Sequence, residues 1–283
     1  MKDWSAWIGR REARQEVIVA ATVEPWLATF DRSDPEDGST PQGFHWSIFR
    51  PGAPTAMLGT DGHPIRDDGA SSFLPPIPLP RRMWAGSKTE FGWPLRSGDT
   101  VTRTSHISSI AEKQGTTGRL VFVDVAHEIH TEGVMNVREI QSIVFREPAY
   151  AGAPPAPPPP GDGRFDPGGW DAHRMLVPSE ALLFRYSALT FNSHRIHYDL
   201  PYATEEEGYR GLVVHGPLTA TLLLDLAARH FGDNALTRFD FRGTSPAICG
   251  EELHLALRGD DDAIVLGAFA SDGRQVMAAS AAR

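Results

Sequence analysis

Phe184-Arg-Tyr-Ser-Ala-Leu-Thr-Phe-Asn-Ser-His-Arg-Ile-His-Tyr-Asp199 is the stretch on which the reading of this chain turns. Residues 192–199 alone hold an amide (Asn192), two imidazoles (His194, His197), a guanidinium (Arg195) and a carboxylate (Asp199). A second block, Gly211-Leu-Val-Val-His-Gly-Pro-Leu218, follows closely, and the pair reads as a catalytic loop leading to a helix entrance. The apolar Leu182, Leu183 and Phe184 suggest a buried approach, whereas Ser193, His194 and Arg195 break any apolar period. The polar cluster is therefore expected where the chain leaves the core, a place active sites favour.

Beyond this loop, residues 219–230 lack Gly and Pro and set Leu222, Leu223, Leu226 and Ala227 at helical spacing, with Gly232 just past the end. Leucine on several faces predicts a buried helix. Strands are predicted at 237–242, 252–257, 263–270 and 274–281, the last two joined by the hairpin signal Ser271-Asp-Gly273. A similar meander precedes the loop: 100–110, 119–129 and 134–145 carry β-branched and aromatic residues at period two, with turns at 115–118 and 131–133. Between the meanders lies a Pro/Ala/Gly tract, which stays extended and acts as a semi-rigid spacer. It divides the chain into a first domain (1–147), a linker (148–162) and a second domain (163–283). Two α+β halves with antiparallel sheets, each wrapped round a helix, are the simplest packing.

Nearer the start, 22–30 reads as a short helix with Thr22 as candidate N-cap and Pro25 tolerated in its first turn. Residues 44–49 read as a short buried helix or strand. The Gly-, Asp- and Pro-rich residues 59–85 form a long loop of the kind that covers sites. Arg81 and Arg82 stand at its end beside Trp84, either as a ligand clamp or as a solvated turn.

With 283 residues and 41% hydrophobic content the chain is long enough for two cores. Its net charge of -9, with no run of Lys or Arg, argues against a nucleic-acid partner. The single cysteine, Cys249, excludes an internal disulfide and a cysteine-rich zinc site. No apolar run reaches the roughly 20 residues that span a bilayer, and the N-terminus lacks a signal-peptide pattern, so a cytoplasmic protein with no membrane partner is expected.

Residues 187–203 and 211–221 resemble the hot-dog hydratases and dehydratases of the MaoC and enoyl-CoA hydratase 2 type, whose signature is Asp-x-Asn-Pro-aliphatic-His followed by a His-Gly helix entrance. Aligned on Ile196-His197, this chain has Asn192 in place of the Asp, His194 in place of the Asn and Arg195 in place of the Pro. The altered version looks like the type 2 3-hydroxyacyl-thioester dehydratases and the mesaconyl-CoA or itaconyl-CoA hydratases. Leu74-Pro-Pro-Ile-Pro-Leu-Pro-Arg-Arg-Met-Trp-Ala-Gly86 resembles the dehydratase-like N-terminal domain of the same group. The resemblance implies a double hot-dog, a first domain without chemistry, and a hydro-lyase acting on an acyl-CoA, with no cofactor beyond the CoA thioester itself. A 3-hydroxyacyl-carrier-protein dehydratase and a non-catalytic acyl-thioester binder are the alternatives. A fused pair supplies its own pseudo-dimer, and a further homodimer stays open.

Adding water to a double bond conjugated to a thioester needs a base for the water, a proton for the α-carbon and N–H dipoles for the enolate oxygen. His197 is the expected acid/base. Asn192 cannot take a proton and is expected to hold the water or product hydroxyl, while Gly216 offers a helix-terminal N–H to the oxyanion. His194 and His215 are candidate substrate contacts, though imidazoles in such places more often serve as structural hydrogen-bonders. Asp199 either orients His197 or caps a turn. Arg195 meets either Asp199 or a second carboxylate of a branched dicarboxylyl-CoA. Arg81, Arg82, Lys88, Arg195 and Arg210 are candidates for the CoA phosphates. A metal held by His194, His197 and His215 is disfavoured, since no acidic fourth ligand is placed and Arg195 is a poor neighbour for a cation; no metal is expected.

Overall fold

The structure, a computed structural model, describes residues 4–33, 35, 37–67, 69–115, 118–148 and 152–283. Residues 116–117 of the expected turn and 149–151 of the expected linker lie outside these. In chain order the main elements are β1 (Arg11–Val17), α1 (Ala20–Thr29), β2 (Arg81–Phe91), β3 (Thr100–Gly115), β4 (Gly118–Thr131), β5 (Val134–Arg146), β6 (Ala172–Leu176), α2 (Glu180–Thr190), α3 (Gly216–Phe231), β7 (Arg238–Gly243), β8 (Leu253–Arg258), β9 (Ile264–Ala270) and β10 (Gln275–Ala282). The strands form one antiparallel sheet in the order β1-β3-β4-β5-β2-β7-β10-β9-β8-β6.

The two antiparallel halves, which the sequence allows to join side by side, form one continuous sheet. Five strands from residues 11–146 meet five from 172–282 through β2 and β7, paired from Gly86 opposite Arg242 to Glu90 opposite Arg238. Gly86 makes the junction close: a Cβ there would lie 2.3 Å from the Phe241 carbonyl oxygen. The joining strand was expected to be loop as far as residue 85, so Arg81, Arg82 and Trp84 stand in a strand and not at a loop end. Its Gly, Ser and Lys have low strand propensity, and pairing on both edges overrides it. Charged β1 and short β6 also form only by edge pairing, with β3 and β8.

The buried helix expected at 219–230 is α3, in which every residue from Leu218 to Ala227 is buried. It packs on β8, β9, β6 and β2, so it touches strands of both halves. Among the described residues the first half has one α-helix, the shorter α1, which starts at Ala20; Thr22 does not cap it but lies inside, its hydroxyl donating to the Val19 carbonyl at 2.7 Å. α1 packs against α2 of the second half, with Trp26 and Phe30 6.1 and 6.4 Å from Tyr186. One core cluster therefore runs through both halves, from Ile18, Trp26 and Phe44 to Leu183, Leu218 and Leu255. No helix among the described residues is long and apolar enough to cross a membrane.

Candidate active site

The polar cluster begins where α2 stops. Ser179 caps this helix by accepting from the Leu182 amide at 3.2 Å, and the helix buries Leu183 and Tyr186 while leaving Phe184 71% exposed. The loop expected from residue 184 is thus helical to Thr190, and Phe184 is not a buried approach. Phe191 adopts a left-handed φ of 51° and reverses the chain. The Asn192 amide then donates to the Ser187 carbonyl at 2.9 Å, and its side-chain Oδ1 accepts from the His194 amide at 3.0 Å. With that oxygen occupied, the Asn192 Nδ2 is the group left to hold a water or hydroxyl oxygen.

Residues 195–197 make one 3-10 turn that carries His197 inward. His197 Nδ1 donates to the Val213 carbonyl at 2.7 Å, which fixes the tautomer and leaves Nε2 as a lone pair. Burial lowers its pKa to about 3, so the ring is a neutral base near pH 7. His215 stacks on it with centroids 3.5 Å apart and 20° between planes, and bonds Ser187 Oγ through Nε2 at 2.9 Å. Burial holds His215 well below the ordinary imidazole range. Gly216 opens α3 directly after His215, and the first-turn N–H groups of a helix have no intrahelical partner. Through its stacking on His215, the N-cap residue of α3, His197 lies beside the start of that helix.

The first half of the chain also reaches this place. The Thr60 carbonyl accepts from Arg195 Nη1 at 2.8 Å, the Asp61 carbonyl from the Arg195 amide at 2.9 Å, and the Gly62 carbonyl from the Ser193 hydroxyl. Gly62 has φ of 85°, and a Cβ on it would sit 1.9 Å from the Ser193 carbonyl oxygen, so only glycine allows this approach. Asp61 Oδ2 then meets His63 Nδ1 at 3.0 Å, and the His63 ring lies 4.2 Å from His194. Burial raises the Asp61 carboxyl, but bonds from the His63 ring and amide outweigh it and hold the pKa at about 2. Burial lowers His194 to about 3, with His63 adding to the effect. Sequence reasoning missed Asp61 and His63. Their one signal is an acid and an imidazole two residues apart in a long loop read as site cover.

Of the three imidazoles weighed from the sequence as metal ligands, only His194 belongs, among the described residues, to a metal-sized cluster, whose other members are Asp61 and His63, with ligating atoms within 4.8 Å of one another.

The expected arginines are mostly engaged elsewhere. Arg195 gives Nε and Nη2 to Asp199 at 2.9 and 2.7 Å and lies over the Tyr202 ring. The internal carboxylate is its partner, and Asp199 also accepts from the Tyr202 amide at 3.2 Å, as a turn cap does. Arg81 pairs with Glu207 at 2.9 Å and Arg210 with Glu251. Trp84 is a packing residue, against Trp46 and Phe241 with its Nε1 on Gly86 and Ser87. Arg82 stays at the site: burial lowers its pKa, and the Asp61 carboxylate acts against that. Lys88 is exposed on β2.

A sheet with one apolar helix, and an imidazole base facing that helix's N-terminus, define the hot-dog hydratases and dehydratases as the class. Residues 43–249 match the model of the family described as hydroxyacyl-thioester dehydratase type 2, and the chain belongs to that family. It is 43% identical to the mesaconyl-C(4)-CoA hydratase of Chloroflexus aurantiacus, over 98% of this chain and 97% of that one. Among solved structures, a MaoC-like dehydratase superposes with a TM-score of 0.73 at 16% identity, covering 99% of both chains. A Mycobacterium tuberculosis protein described as a double hot-dog does so with a TM-score of 0.56 at 15% identity, over 97% of this chain and 95% of that one. The protein is a double hot-dog hydro-lyase of acyl thioesters.

Proposed function

We propose that this protein reversibly adds water across the double bond of a 2-enoyl-CoA, with a branched dicarboxylyl-CoA of the mesaconyl type as its substrate class. The observation that carries the reading is His197, buried and held through Nδ1 on the Val213 carbonyl so that Nε2 stands open beside the start of α3. In the hydration direction Nε2 takes a proton from a water held by the Asn192 amide, and the water oxygen bonds to the β-carbon. The π electrons move to the thioester oxygen, where the Gly216 N–H and the dipole of a 16-residue helix stabilise the enolate. Protonation of the α-carbon completes a 3-hydroxyacyl-CoA.

The dicarboxylyl substrate class is supported by the likeness to the Chloroflexus hydratase, which covers nearly the whole of both chains. Arg195 does not supply the recognition of a second carboxylate, because its guanidinium is spent on Asp199 and Thr60. A panel of mesaconyl-CoA, itaconyl-CoA, crotonyl-CoA and a crotonyl-carrier protein tests the reading through the rate of enoyl loss. The expected order puts mesaconyl-CoA first. Turnover of the carrier-protein substrate alone would make the protein a fatty-acid dehydratase, and binding without turnover would make it a carrier.

A further inference from the structure

We propose that Asp61 and His63, on the first half of the chain, form the second acid–base group of the hydration, so that the site is completed by both halves. This rests on the hydratase reading above. The loop of the second half carries an amide at Asn192, which cannot exchange a proton, and its one imidazole with a lone pair set by a fixed tautomer is His197. Hydration takes one proton from water and places one on the α-carbon, and two groups do this with less rearrangement than one.

The geometry supplies the second group. His63 Nδ1 donates to the Asp61 carboxylate at 3.0 Å, which leaves Nε2 as the exchanging atom. The pair is fixed to the catalytic loop through Thr60, Asp61 and Gly62, so its position relative to His197 is set by backbone bonds. His194 lies between, 4.2 Å from His63 and 5.5 Å from His197 by ring centroids, and the row ends on His215. Arg82 acts electrostatically on both Asp61 and His194, which disfavours a divalent cation at the same place.

The proton count closes through water. His197 Nε2 takes a proton from water as the C–O bond forms, and the enolate then re-forms its carbonyl while the α-carbon takes a proton from His63 Nε2. His197 now holds one proton too many and His63 one too few. His197 releases its extra proton to water, and His63 takes one back from water. Water has been added across the double bond, and nothing is oxidised or reduced. In these roles His63 is a catalytic residue and Asp61 a positioning residue.

The test compares wild type with His63→Gln, Asp61→Asn and Asp61→Glu on mesaconyl-CoA and crotonyl-CoA, with melting temperature and kcat read together. Both neutral variants are expected to lose at least about a hundredfold in kcat, with KM within about threefold and a melting temperature close to wild type. Asp61→Glu, which restores the carboxylate, is expected to recover most of that loss. A His63→Gln enzyme within about threefold of wild-type kcat overturns the proposal. So does a loss that follows unfolding and is not rescued by Asp61→Glu, which would make the loop a structural clasp. Activity abolished by a chelator and regained with zinc alone would also overturn it, in favour of a metal centre at Asp61, His63 and His194. A wild-type protein inert on every thioester overturns the hydratase reading itself, and the proposal with it.

Discussion

Acidification from pH 7 to pH 5 sets the histidines against the fold. His45, His197 and His215 are each less than 8% exposed, and burial holds the first two at about 3 and the third well below the ordinary range. In the unfolded chain a histidine titrates near ~6.5. Between the two values the unfolded state binds more protons than the folded one, so stability is fully present above the unfolded value and is lost as the pH falls below it. At pH 5 each neutral ring costs about 2 kcal/mol, from about 1.4 kcal/mol per pH unit over ~1.5 units. His45, His197 and, with the same sign, His127 and His194, held at about 4 and about 3, total roughly 8 kcal/mol, and His215 adds in the same direction. Glu139 works the other way: burial raises its carboxyl to about 6, and its uptake of a proton returns about 1 kcal/mol over the same range. The net loss, about 7 kcal/mol, rivals the whole stability of a small domain, commonly ~5–15 kcal/mol. Urea unfolding followed by tryptophan fluorescence at half-unit pH steps measures this directly. A midpoint that falls steadily from pH 6.5 to 5 is expected, and a flat profile would refute the claim that these rings are held neutral.

Four further outcomes are expected. Gly62→Ala adds a Cβ 1.9 Å from the Ser193 carbonyl at a φ of 85°, so it should cost about 1–2 kcal/mol for the backbone alone and part the two loops; chemical denaturation and kcat should both report it. Asn192→Ala should lower kcat with little change in melting temperature, whereas unfolding would mark the residue as structural. Arg195→Leu should damage mesaconyl-CoA and crotonyl-CoA turnover alike, since its partners Asp199 and Thr60 are internal; a loss confined to mesaconyl-CoA would place its guanidinium on the substrate. The isolated segment 163–283 should be inactive and prone to aggregate, because β7 would lose its β2 partner; a soluble, active fragment would contradict a site shared by both halves.

The strands that sequence made legible are those whose alternation is local. Val121, Val123 and Val125 announce β4, and the Leu-rich face of α3 announces the central helix. β1, β2 and β6 lack such a signal because each is made a strand by its neighbours; β2, with Gly86, Ser87 and Lys88, is central only because β5 and β7 take its two edges. α2 was obscured by Phe184, a large apolar residue left in solvent. The adjacency of His197 and the start of α3 was legible because loop and helix entrance lie close in sequence. Asp61 and His63 were not: Gly62 meets Ser193 across 131 residues, and a Gly- and Asp-rich loop shows no period to mark its destination.

The central claim is that His197 removes a proton from water added to an enoyl-CoA. Mass spectrometry of mesaconyl-CoA incubated in heavy-oxygen water, with wild type and with a folded His197→Ala variant, tests it most directly. The wild type should place the labelled oxygen on the β-carbon at a rate at least about a hundredfold above the variant. Equal incorporation by the two proteins, or none by the wild type, would contradict the account.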